Sequence, residues 1–111
     1  MPDLIRLDRV KEMLAIQHIE DDRHLRFLIS AASAAVIDFL DARAPIVLGL
    51  DEDGNLPEGA AVRAEVQLAV AALVGHFLRA PDHDIERAFE PGWLPRPVTA
   101  LLTPLRDPPV A

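Results

Sequence analysis

LPEGAAVRAEVQLAVAALVGHFLRAP, residues 56–81, decides how the rest of this chain must fold. Pro57 suits the first position of a helix, where its missing N–H is no loss and its fixed φ already fits. Pro81 closes the stretch by biasing Ala80 away from the α region. Between them Val62, Val66, Ala69, Val70, Leu73, Val74 and Phe77 recur at helical spacing and make one apolar stripe. The opposite side is hardly more polar, since it carries Leu68, Ala71, Ala72, Gly75 and Leu78. A helix that is apolar on every side needs cover on every side, from its own domain or from neighbouring subunits. It is too short to span a membrane, which takes about 20 apolar residues. The expectation is therefore a central helix. Leu68, Ala72 and Gly75 are its diagnostic residues: fully enclosed, they make it only a core, and left open they call for a second subunit.

The composition limits what can surround that helix. A chain of 111 residues is one domain, able to build a modest core without metal or disulfide support. Half of the residues are hydrophobic but only 5% are aromatic, a palette of Ala, Leu, Val and Ile that suits closely packed helices better than a sheet. The absence of cysteine removes disulfides, thiolate metal sites and cysteine nucleophiles together. Residues 1–10 lack the long apolar core of a signal peptide, so a cytosolic or virion protein is the simplest reading. With 18 acidic against 11 basic residues the net charge is −7, which repels phosphate and disfavours sequence-specific nucleic-acid binding. The basic residues are arginine except for Lys11, in part a genomic bias and in part suited to interfaces.

Working outward, LIRLDRVKEMLAI (4–16) reads as an amphipathic helix with Leu7, Val10, Met13 and Leu14 on one face and Arg9, Lys11 and Glu12 turned away. Asp3 and Asp8 are both candidates to cap it. Gln17 to Ile19 form a brief connection. Glu20, Asp21 and Asp22 then place negative charge at the start of a second helix, where free N–H groups favour it. Leu25, Leu28, Ile29, Ala32, Ala35, Val36, Phe39 and Leu40 keep i, i+3, i+4, i+7 spacing, while Arg23, Arg26, Ser30, Ser33 and Asp38 fall largely off that stripe. A thinner line of Phe27, Ala31 and Ala34 runs beside it, either widening the core face or meeting another subunit.

The stretch 41–55 reads as irregular: Ala44-Pro45 stops the helix, Ile46 to Leu50 suggests a short extended piece, and Asp51 to Asn55 a turn or hairpin tip. That acidic turn lacks the ligand spacing of a calcium loop, because Val62 stands twelfth from Asp51 and Gly54 arrives early. Residues 81–92 read as a polar loop with one turn around Ile85 to Phe89. His76, Asp82, His83 and Asp84 lack zinc-ligand spacing, and His18 and His24 have no nucleophile motif to serve. No enzyme, cofactor or metal is expected. At the end, Pro97 starts a short helix with Val98, Leu101, Leu102 and Leu105 on one side, and Pro104 is expected to end or kink it near Thr103. Residues 107–111, opening with Asp107-Pro108-Pro109, read as an extended tail. Trp93 is a core plug or an interface anchor. The fold class is all-α: about four helices around the central one, with an irregular loop or short hairpin between the second and third.

In order and wording these pieces resemble the phage head–tail connector family, small helical adaptors of long-tailed phages. LDRVKEMLAI (7–16) is similar to the family's opening "L-x-x-V-K-x-x-L" helix, and DDRHLRFLISAASAAVIDFL (21–40) to its "D-D-x-x-L-x-x-L-I-x-A-A" helix. The Pro57-led long helix and the closing LPRPVTALLTPLR (94–106), like "P-x-x-V-x-x-L-L-x-P-x-R", complete the likeness over nearly the whole chain. The Phe77–Pro81 stretch departs from the family's aromatic followed by a polar "N-R-E" run. The resemblance implies a structural role at the head–tail junction of the virion, reached from the host cytoplasm during assembly. The subunits would form a homo-oligomeric ring, twelvefold in the assembled particle, below the portal protein, and would receive a tail stopper or tail-terminator protein. DNA would pass through the channel without specific binding, and no membrane is involved. Leu105, Arg106, Asp107, Pro108 and Pro109 then become an arm towards the portal or a neighbour, and Phe27, Ala31, Ala34 and Trp93 a subunit contact. The rival reading is a small helical regulatory or protein–protein interaction domain of non-phage origin. A helix-turn-helix regulator would want a basic recognition helix, and the helices here are apolar or acidic.

Overall fold

The computed structural model describes residues 3–16, 22–57, 61–79, 83–90 and 93–106, and these fold as an all-helical chain with no strand among them. The helices are α1 (Leu7–Met13), α2 (Asp22–Leu40), α3 (Ala44–Leu48), α4 (Ala64–Arg79), α5 (His83–Arg87) and α6 (Arg96–Arg106), with a 3-10 turn at Asp41–Arg43. The layout follows from the two long periodic stretches. α4 packs against both α2 and α6, α2 also meets α6, and α1 lies against α2. The α2 stripe is buried from Leu25 to Leu40 except for Phe39, which is half-buried, and Val66, Ala69, Val70, Leu73, Val74 and Phe77 of α4 are buried as the spacing requires. Val98 and Leu102 close the core from α6.

α1 ends in a tight hydrogen-bonded reversal. The Ile16 N–H donates to the Lys11 carbonyl at 2.8 Å and the Ala15 N–H to that of Glu12 at 3.3 Å, with Ala15 at φ 57. This is the paired-bond helix stop in which the left-handed position is usually glycine. Ala15 holds it at a cost of roughly 1 kcal/mol, offset as Ile16 packs onto the core. Neither candidate cap is used: the residue before the helix is Arg6 with no side-chain capping bond, Asp8 accepts from the Arg9 N–H, and Asp3 accepts from the Ser30 hydroxyl. Lys11 does not turn away. Its Nζ lies 2.8 Å from Asp22 Oδ1, tying α1 to the first turn of α2 in a largely buried pair. Glu20 and Asp21 lie outside the described residues.

Three residues read as polar or helical belong to the core instead. Leu4 and Ile5 are buried ahead of α1 rather than within it, and Ser33 is fully buried. One bond joins Leu4 to Ser33. The Leu4 N–H donates to Ser33 Oγ at 3.0 Å, so the hydroxyl satisfies a backbone donor that would otherwise be buried without a partner. Ser33→Ala removes that acceptor, and a urea titration should show a loss of about 1–3 kcal/mol.

Three proline readings are corrected. Pro45 does not stop the helical path; it sits in the first turn of α3, where a proline belongs, and Ile46 to Leu48 are helical rather than extended. Asp41, at φ 49, turns the chain out of α2 into the 3-10 turn, and with Ile46 to Leu48 helical no strand is left to form the expected hairpin. Gly49, at φ 67, ends α3, and its N–H and that of Leu50 both close on the Pro45 carbonyl. The Asp51–Asn55 turn does form, with Asp51 Oδ1 accepting from the N–H groups of Asp53 and Asn55 and Gly54 at φ 80. Pro57 does not open α4, which begins at Ala64 after Arg63. Helix is maintained where packing supports it, and upstream of Val66 only Val62 is even half-buried in the 61–65 segment. Pro104 lies within α6, which continues to Arg106. Ala100, whose carbonyl loses its usual partner four residues on, faces solvent with Pro104.

Candidate interaction interface

α4 is where burial is incomplete. Leu68, Ala72, Gly75 and Leu78 follow i, i+4, i+7, i+10 and lie along one side of the helix. Gly75 is buried because Leu14 crosses it, with Leu14 Cδ2 only 3.3 Å from where a Cβ would stand. Above and below that crossing the line is open: Leu68 is 48% exposed, Ala72 half-buried and Leu78 41% exposed. Met13, next to Leu14, is also exposed. The central helix is thus core on one side, while on the other its apolar residues are covered at Ala71 and Gly75 and open at Leu68 and Leu78.

A second uncovered face runs along α2. Phe27 is 58% exposed, and Ala31 and Ala34, one and two turns further on, are half-buried. The core stripe lies on the opposite side, so this line leads outwards. Arg23 and Asp38 stand exposed at its two ends, and neither forms an ion pair among the described residues.

The remaining candidates are placed differently. Trp93 is half-buried against the core, with the His76 ring edge-on at 5.4 Å and the Arg87 guanidinium 5.3 Å over its ring. It therefore plugs the end of α4 from within the chain. Leu105 packs partly on the core, and the Arg106 guanidinium sits 5.0 Å over Phe39. Asp107, Pro108 and Pro109 lie outside the described residues, as do His18 and Asp82. Sequence reasoning missed Ile46, 69% exposed on α3, and Phe89, exposed beyond α5. The exposure of Ile46 depends on α3 being a helix, which the expected extended piece concealed.

Two grooves flank these faces. The larger, about 800 Å³, lies between the 3–12 segment, α2 and Leu56, Val62 and Gln67, and carries Arg6, Arg9 and Arg26 beside Asp3, Asp8 and Glu12. Arg6 pairs with Asp8 at 3.4 Å and Arg9 with Glu12 at 3.9 Å, on an open, water-exposed wall. The smaller, about 290 Å³, lies between Phe39, Phe89 and Leu94 with Asp38, Asp41 and Glu90 at its rim. Among the described residues no three His, Cys, Asp or Glu side chains gather as a metal site, and no helix is long and apolar enough to cross a membrane. The uncovered side chains on α2 and α4, Phe27, Leu68 and Leu78, are apolar. The chain matches no family model, no curated protein and no solved structure.

Proposed function

We propose that this chain is a structural assembly subunit, a head–tail connector-like adaptor that forms a ring below a phage portal and joins capsid to tail. The observation that carries the proposal is the open apolar line Leu68–Ala72–Leu78 on a helix whose other side is wholly buried. A ring neighbour covers such a line through a heterologous contact that closes by rotation. The net charge of −7 supports the same reading, because an acidic channel wall repels phosphate and lets DNA slide without binding. The likeness of the four helical segments to the connector family supplies the partner: the portal on one side and a tail stopper or terminator on the other.

The test is co-expression with the portal protein of the genome that encodes this chain, followed by electron microscopy of the purified particle. A ring of this chain stacked on the portal is the expected result. A chain that remains monomeric with assembled portal present overturns the proposal.

A further inference from the structure

The exposed face of α2 is self-complementary. Two α2 helices packed antiparallel about a twofold axis between Ser30 and Ala31 set residues at the same level whenever their numbers add to 61. Phe27 then lies over Ala34 of the second copy, large against small, and Arg23 lies beside Asp38 of the second copy. Each relation occurs twice, as a twofold contact demands. Phe27, Arg23 and Asp38 are all exposed in the single chain, and the half-buried Ala31 and Ala34 between them leave the backbones free to approach. Ser30 is held at the edge of this face by its bond to Asp3, clear of the Phe27–Ala34 line.

The charges give a second, independent reason. Arg23 sits in the first turn of α2 and Asp38 near its last, each at the end whose helix dipole disfavours it. Antiparallel pairing reverses that. Asp38 of one copy meets Arg23 at the positive end of the other helix, and Arg23 of that copy answers at the negative end. A parallel pair would instead set Arg23 against Arg23 and Asp38 against Asp38. The charges therefore select the partner's direction, while Phe27 supplies the contact area.

We infer that the free protein pairs with a second copy of itself through this face, as an antiparallel α2–α2 dimer centred on Phe27 and Ala34 and flanked by two Arg23–Asp38 pairs. The inference does not rest on the ring contact proposed above, which lies on the other open line, on α4, and it assigns the Phe27, Ala31 and Ala34 face to a dimer of the free protein rather than to the ring. A closed twofold contact uses up the α2 face and leaves Leu68 and Leu78 uncovered.

Sedimentation equilibrium of the purified chain alone, up to about 1 mM, tests it. The wild type should dimerise, and Phe27→Glu should raise the dissociation constant by about a hundredfold or more. Arg23→Asp and Asp38→Arg, each placing like charges together twice, should each weaken the dimer about tenfold, and the combined R23D/D38R chain should recover to within about threefold of wild type. All four variants change exposed positions, and unchanged circular dichroism melting confirms that their folds persist. A wild type monomeric throughout that range, association unaffected by Phe27→Glu, or no recovery in R23D/D38R overturns the inference. None of these outcomes bears on the portal complex, which is read by microscopy.

Discussion

Replacing Leu73 by alanine is expected to remove about 2–5 kcal/mol of stability, a large part of the roughly 5–15 kcal/mol that holds a domain of this kind together. Leu73 has no exposure to solvent and lies midway along α4, the helix that meets both α2 and α6. Its loss removes the transfer free energy of the deleted carbons and leaves a cavity that two packed neighbours cannot both collapse to fill. Urea unfolding followed by circular dichroism reads the effect. Leu68→Ala, five residues away on the open side, is the control and should cost less than about 1 kcal/mol. Equal losses at the two positions would mean that α4 is enclosed on all sides, contrary to the exposure of Leu68.

The second large effect concerns assembly rather than stability. Leu68→Glu combined with Leu78→Glu should leave the free chain folded, with each change costing less than about 1 kcal/mol, because both side chains already meet water and glutamate is a good helix former. In the proposed ring the same changes bury two carboxylates in an apolar contact without partners, at several kcal/mol per subunit interface. The chain should then fail to form a ring with portal, and heads should accumulate without tails. Normal ring formation by this variant would place the subunit contact elsewhere.

The parts of the fold legible from sequence were those where one physical signal acts alone. The 3.6-residue period of α2 and α4 fixes which side chains face inward, and burial follows it almost residue by residue. Proline was the ambiguous letter, because the same missing N–H ends one helix and opens another. Pro45 opens α3, Pro57 precedes α4 by seven positions, and Pro104 is carried inside the last turns of α6. Which role applies depends on whether later residues find a core to pack against, and that is decided by distant segments. Leu4, Ile5 and Ser33 were hidden for the same reason: Leu4 and Ile5 are buried by packing into the core, and Ser33 is met by the Leu4 N–H across 29 positions of sequence. Of the uncovered apolar surface, the doubled apolar character of α4 and the Phe27–Ala31–Ala34 line were visible beforehand. The covering of Gly75 by Leu14 was not, since it depends on where the end of α1 lies in space.

The chain contains no cysteine, so a single thiol introduced on the open line of α4 is an unambiguous reporter. The most direct test of α4 as half core and half interface is the labelling rate of Leu68→Cys, measured in the free chain and again in the complex with portal. Fast labelling in the free chain and at least about tenfold slower labelling in the complex is the expected result, since a covered thiol reacts only as often as its interface opens. Equal rates in the two states would mean that nothing covers this face on assembly, and the assignment of α4 as the ring contact would be wrong.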